Sequence, residues 1–198
     1  TPLVGGAVRA ATGTDATASN RRINMYGAPV WQGDKNCGIL VRLKVSNPTD
    51  IILEVGFIDT QTTLTTPSPT VTDVDTPTVG NGAVDSALAV IDTGQTLVTL
   101  AYVTEGSTAS MVPTKTNLGT RVPGTDTYNW IKVQLMGDRS LCQILDASGV
   151  QLEEAIHGAT IASQTEGGTL VRPWIFVGGG STTSRNVDID RIFVYQDL

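Results

Sequence analysis

Charged residues make up only 16% of this 198-residue chain and aromatic residues 5%, and there are two cysteines and a single histidine. Each scarcity closes off a class of chemistry. Cys37 and Cys142 are too few for a disulfide scaffold and lack the paired spacing of a zinc site, so both are read as small buried thiols, which suits assembly in a reducing cytosol. His157, beside Gly158, has no Gly-x-Ser-x-Gly motif to serve, and it is read as a solvated loop side chain rather than as a base or ligand. No run of 18 or more apolar residues occurs, and the N-terminus has no basic segment followed by an apolar stretch, so neither a membrane span nor a signal peptide is expected. A net charge of −6 and a pI near 4.6 argue against nucleic acid or an anionic membrane as the main partner.

What the chain has in quantity is glycine and proline, 21 and 9 residues, with abundant threonine and valine. That composition leaves little room for long helices and points to an all-β protein, with one sandwich domain expected over 29–198. Period-two alternation marks the strands. In Ile39–Val45 the odd positions are apolar, with Arg42 and Lys44 between them. Asn47-Pro48-Thr49-Asp50 reads as a turn into a second strand, Ile51–Ile58, which places Ile51, Leu53, Val55 and Phe57 on one face and Glu54 and Gly56 on the other; the two strands are expected to pair as a hairpin. Three more pairs follow: 86–92 with 96–103, 128–136 with 140–145, and 170–177 with 187–195. Leu152–Ile161 reads as a helical turn interrupted by Gly158. Between Asp59 and Val84 lies a long Thr- and Pro-rich excursion.

Residues 1–28 lack a sustained period and are expected to form an extended arm, disordered alone and ordered on a neighbouring subunit. Within 1–22, Arg9, Arg21 and Arg22 against Asp15 give +2, leaving −8 for the rest of a chain of −6. The expected contacts of the arm are Leu3 and Val4 as apolar anchors and Arg9, Arg21 and Arg22 as cations.

The chain closes on a loop, Gly178–Ser184, and then Val187-Asp188-Ile189-Asp190-Arg191-Ile192-Phe193-Val194-Tyr195. That acidic, β-branched, aromatic strand resembles the closing strand of the concanavalin A-like lectin and glucanase superfamily. The resemblance implies a two-sheet antiparallel jelly-roll sandwich, a fold that hosts enzymes, lectins and virion proteins alike. Ile51–Asp59, Ala87–Thr93 and Tyr128–Val133 are in addition similar to segments of jelly-roll virion proteins of tailed phages, so that the likeness covers about 35–198. It implies a structural virion protein, a capsid decoration or cement protein that binds the major capsid protein or other virion subunits, with a homo-oligomer, a trimer, expected.

Glycoside hydrolysis needs two carboxyl groups facing each other across the scissile bond, and glucanase-type strands supply them as Glu, apolar, Asp, apolar, Glu. Asp73-Val74-Asp75 and Asp188-Ile189-Asp190 lack the completing glutamate, while Glu153 and Glu154 are adjacent and would point apart on a strand. The chain is therefore expected not to be an enzyme, to hold no catalytic residues and to need no cofactor. Asp73, Asp75 and Asp85 have the carboxylates that calcium takes, but the region reads as a solvated acidic loop, and no metal is expected. The rival reading is a carbohydrate-binding, lectin-like module of a tail fibre, which needs an exposed aromatic for a sugar to stack on. Trp174 is expected to be buried, Trp130 is either a cover or a platform, and Trp31, beside Gln32 and Gly33, is the most exposed candidate.

Overall fold

The computed structural model describes residues 7–14, 21–33, 35–59, 69–71, 83, 85–94, 99–104, 114–119, 122–125, 127–136, 139–158, 170–179 and 184–197. Among them every regular element is a β-strand: β1 (Val8–Ala11), β2 (Arg22–Tyr26), β3 (Trp31–Gln32), β4 (Gly38–Val45), β5 (Ile51–Ile58), β6 (Ser86–Asp92), β7 (Thr99–Thr104), β8 (Thr114–Gly119), β9 (Asn129–Leu135), β10 (Arg139–Leu145), β11 (Gln151–Gly158), β12 (Leu170–Gly179) and β13 (Asn186–Tyr195). They form a two-sheet antiparallel sandwich of the jelly-roll class. The first sheet runs β1-β13-β4-β9-β10-β11, and the second runs β2-β12-β5-β6-β7-β8 with β3 added beside β12.

Alternation builds the space between the sheets. Ile39, Val41, Leu43 and Val45 of β4 and Ile131, Val133 and Leu135 of β9 face Leu53, Val55 and Phe57 of β5 and Ala87, Ala89 and Ile91 of β6 in one buried cluster. Removing a side chain of this size from water stabilises the fold by roughly 1.5 to 3 kcal/mol. Cys37 and Cys142 are free and buried in the same cluster, and burial pushes the Cys142 thiol up to about 12. Its Sγ lies 3.7 Å from the Leu88 carbonyl oxygen, a contact that crosses from the first sheet to the second.

Two expected hairpins are corrected. β4 and β5 do not pair: β4 lies between β13 and β9, whereas β5 lies between β12 and β6 in the other sheet. Asp50, at φ 51°, turns the chain across the sandwich. The same holds for β12 and β13, while β6 with β7 and β9 with β10 do pair as expected. Leu152–Ile161 is corrected as well, because its described part belongs to strand β11 on the edge of the first sheet, not to a helical turn.

Where it is described, the stretch 1–28 lies on this chain's own sheets rather than standing free. β1 pairs with Asn186–Ile189 of β13, and β2 pairs with Trp174–Gly178 of β12. Thr12 ties the first of these down, its N–H donating to the Arg185 carbonyl at 2.8 Å and its Oγ1 accepting from the Arg185 N–H at 2.8 Å. A segment too poor in large apolar residues to make a core gains its order by completing two existing sheets.

Candidate functional site

The two sheets turn very different outer faces outward. On the second sheet, the face opposite the main core carries a smaller apolar cluster of its own: Ile58, Leu88, Val90, Trp174 and Phe176, roofed by Val71 and Ala83 from the excursion. Glu54 sits in it with no exposure. Its carboxyl group accepts hydrogen bonds from the Thr70 N–H at 3.0 Å, the Val71 N–H at 2.8 Å and the Trp174 indole Nε1 at 2.8 Å. Burial raises its pKa, although those donors pull the other way. In this conformation the group is closed to solvent, and it holds Thr70 and Val71 to the sheet.

The outer face of the first sheet is open. Cross-strand register lays its side chains out in rows. In the first row Arg9 of β1 stands opposite Asp188 of β13, which stands opposite Lys44 of β4, with Tyr128 ahead of β9. Arg9 grips Asp188 with Nε at 2.6 Å and Nη2 at 2.8 Å, and the Lys44 Nζ is 4.0 Å from the same carboxylate. The hydrogen bond and charge of Arg9 hold the Asp188 carboxyl below the ordinary range, and Asp188 in turn raises the Arg9 guanidinium. In the next row Arg42 stands opposite Trp130, which stands opposite Leu145. The Arg42 Nη1 donates to Asp190 at 2.6 Å, and its guanidinium lies 4.9 Å from the centre of the Tyr128 ring and 5.8 Å from that of Trp130. Trp130 stacks on Phe193, centroids 6.1 Å apart and planes 26° apart. Phe193 is 49% exposed, and Tyr195 lies beyond it over Gly38.

A bulge in β13 assembles this face. The register against β4 slips between Ile189 and Arg191, so that both Asp190 and Arg191 fall opposite Arg42. In a regular strand Asp188 and Phe193, five residues apart, would point to opposite faces. With the extra residue they share one.

Of the residues singled out from the sequence, the structure brings four to this face: Arg9, Trp130, Asp188 and Asp190. Arg9, expected as a cation of the arm, is engaged here with Asp188 of its own chain. Trp31 is half-buried in β3, paired with Val171 and packed against the main core, so that it and Trp130 lie on different sheets. Arg21 and Arg22 lie at the start of β2, away from Arg9; Arg21 is buried with Nε and Nη1 unpartnered among the described residues, and burial together with its charge lowers the Arg22 pKa. Leu3, Val4, Asp73 and Asp75 lie outside the described residues. Trp174 is fully buried, as its apolar surroundings in sequence suggested. Glu153 and Glu154 diverge as expected, Glu154 accepting from Gln143 Nε2 at 2.6 Å while the Glu153 carboxyl lies against Gly119. Sequence reasoning missed Glu54, Arg42, Tyr128 and Phe193. Alternation in β4 and β9 placed Arg42 and Trp130 outward, but nothing in the sequence announced the bulge.

No family model matches this sequence, and no curated protein matches it. Solved structures do. The chain superposes on an immunostimulatory antigen and pseudo β-1,3-glucanase of Mycobacterium tuberculosis with a TM-score of 0.58, at 10% identity over 98% of this chain and 76% of that one. It superposes on the catalytic domain of an endo-1,3-β-glucanase, a laminarinase, from Thermotoga petrophila RKU-1 with a TM-score of 0.52, at 12% identity over 98% and 79%. For alginate lyase A1-II′, a member of polysaccharide lyase family 7, the TM-score is 0.50, at 11% identity over the whole of this chain and 83% of that one. At such identities the likeness is one of fold: this chain has the jelly roll that these glucanase and lyase structures share. Those neighbours correct the expectation that the chain is not an enzyme, because enzymes of polysaccharide chemistry carry its fold along its whole length.

Proposed function

We propose that this jelly roll recognises a saccharide chain on the open outer face of its first sheet. The observation that carries the reading is the stacked pair of Trp130 and Phe193 beside Tyr128, set among hydrogen-bonding side chains that their neighbours hold in place. A pyranose ring offers an apolar face and a rim of hydroxyls, and such a site answers both, with rings for the face and Arg42, Lys44, Asp188 and Asp190 for the rim. Support also comes from the fold neighbours, a laminarinase and an alginate lyase, whose names give polysaccharides as substrates. The test is a titration of the full chain with laminari- and alginate oligosaccharides followed by tryptophan fluorescence, with product release measured in the same samples. Binding is expected, and Trp130→Ala is expected to weaken it at least tenfold, since one stacked ring is worth roughly 1.4 kcal/mol or more. Unchanged binding in Trp130→Ala would move the site elsewhere.

A second reading, attachment to a tailed-phage virion as a decoration or cement protein, rests on the order of segments along the chain and on one feature of the sandwich. Two apolar hollows of about 220 and 190 Å³ adjoin along its side, sharing Met25 and Ile192, with Val8, Ile189, Pro173 and Val194 among their walls. An apolar side of this kind suits packing against a shell subunit or within a homotrimer. Counting copies of the chain against the major shell protein in purified particles tests it; absence from particles removes it.

A further inference from the structure

The charges on the open face do not balance, and the imbalance specifies the ligand further. Asp188 lies between two cations, Arg9 at 2.6 Å and Lys44 at 4.0 Å. Asp190 likewise lies between Arg42 at 2.6 Å and Arg191 at 3.6 Å. Each carboxylate cancels one charge of its pair and leaves the other. Lys132 adds a cation, its side chain opposite Leu40 and Gln143, and Glu154 at the far end of that row is hydrogen-bonded to Gln143. These three rows thus carry Arg9, Arg42, Lys44, Lys132 and Arg191 against Asp188, Asp190 and Glu154, a surplus of +2 on a chain whose net charge is −6.

That surplus sits beside the aromatic rings. The Lys44 Nζ is 5.2 Å from the centre of the Tyr128 ring, and the Arg42 guanidinium bridges Tyr128 and Trp130. A neutral sugar would leave the surplus charge without a counter-charge on desolvation, whereas a sugar bearing an anionic group would supply one. Lys44 and Arg191 keep free valence for it, because the shared aspartates are claimed more closely by Arg9 and Arg42.

We infer that the saccharide taken by this face is acidic, its anionic substituent seated at Lys44 and Arg191 while its rings stack along Tyr128, Trp130 and Phe193. The inference rests on the saccharide reading of the same face. A carboxylate of a uronate and a sulfate ester present the same chemistry to these cations, and the experiment separates them.

The full chain is titrated with three probes of matched length, a neutral laminari-oligosaccharide, an oligouronate and a sulfated oligosaccharide, at low and at physiological ionic strength. At least one acidic probe is expected to bind about tenfold or more tightly than the neutral one, and added salt is expected to narrow that gap. Lys44→Gln and Arg191→Gln, both substitutions of solvent-reaching side chains, are expected to weaken the acidic probe about tenfold more than the neutral one and so to remove the preference. A tighter grip on the oligouronate identifies a carboxylate site; a tighter grip on the sulfated probe identifies a sulfate site. Equal, salt-insensitive binding of all three would overturn the acidic ligand and keep the saccharide site. No binding of any probe would overturn the saccharide site itself.

Discussion

The two outer faces of this sandwich solve the same problem in opposite ways. A sheet's outer face must either meet water or be covered. The second sheet is covered: Val71 and Ala83 roof Trp174 and Phe176, and Glu54 is sealed in with three hydrogen-bond donors. The first sheet meets water, with Trp130, Phe193 and Tyr128 kept in place by a ladder of charges instead of a roof. The carboxyl groups record the difference. Burial drives Glu54 up, whereas an arginine drives Asp188 down. Aromatic residues on a sheet therefore do not mark a ligand surface by themselves; what covers them decides.

The largest way to break the contrast is to empty the roofed face of its carboxyl group. Glu54→Ala leaves the N–H groups of Thr70, Val71 and Trp174 buried without partners, and each orphaned donor costs roughly 1 to 3 kcal/mol. Chemical denaturation is expected to show a loss of about 3 to 5 kcal/mol, together with faster amide exchange at Thr70 and Val71. A loss no greater than that of a surface substitution would mean the roof is held by something other than Glu54.

Two glycines sharpen the comparison at smaller scale. Gly56 lies on the roofed face, where an added Cβ would stand 2.1 Å from the Ala87 carbonyl oxygen, main chain that cannot yield without disturbing the pairing of β5 with β6. Gly38 lies on the open face, where the same atom would meet the Tyr195 ring at 2.3 Å. Tyr195 is 37% exposed, so its ring has solvent on one side. Gly56→Ala is expected to cost about 1 to 3 kcal/mol as an overpacked site, and Gly38→Ala less, because a side-chain ring and not main chain must give way. Denaturation midpoints measure both, and equal losses would mean the open face is as rigidly packed as the roofed one.

How much of this was legible in the sequence follows from what alternation reports. Period two told where β4, β9 and β10 run and which of their residues point inward, because one face of each is wet. It could not tell which sheet a strand joins. β4 and β5 look like a hairpin in sequence and lie in different sheets, since a four-residue turn serves either geometry and the partners of β5 arrive from positions 86–92 and 170–179. β1 and β2 carry little signal of their own and owe their order to strands more than a hundred residues away. In β11, good helix formers such as Leu152, Glu153, Glu154 and Ala155 are held extended by pairing with β10, tertiary context overriding propensity. The candidate site was half legible. Arg9 and Trp130 stood out by charge and ring, but their sharing a face depends on the edge pairing of β1, and the company of Phe193 on the bulge in β13.

The contrast between Glu54 and Asp188 also has a pH signature of opposite sign on the two faces. Glu54 has a folded pKa above its unfolded value of about 4.3, so the stability it contributes is present below that value and is lost as pH rises through the folded one. Asp188 has a folded pKa below its unfolded value of about 3.9, so its contribution is present above that value and is lost as pH falls through the folded one. Thermal unfolding followed across the acid range should then show two separable slopes. Glu54→Gln is expected to remove the decline on the rising side and Asp188→Asn the decline on the acid side, each leaving the other intact. If Asp188→Asn left the acid limb unchanged, the grip of Arg9 on Asp188 would not survive in solution. The ladder that holds the open face would then have to rest on Arg42 and Asp190 alone.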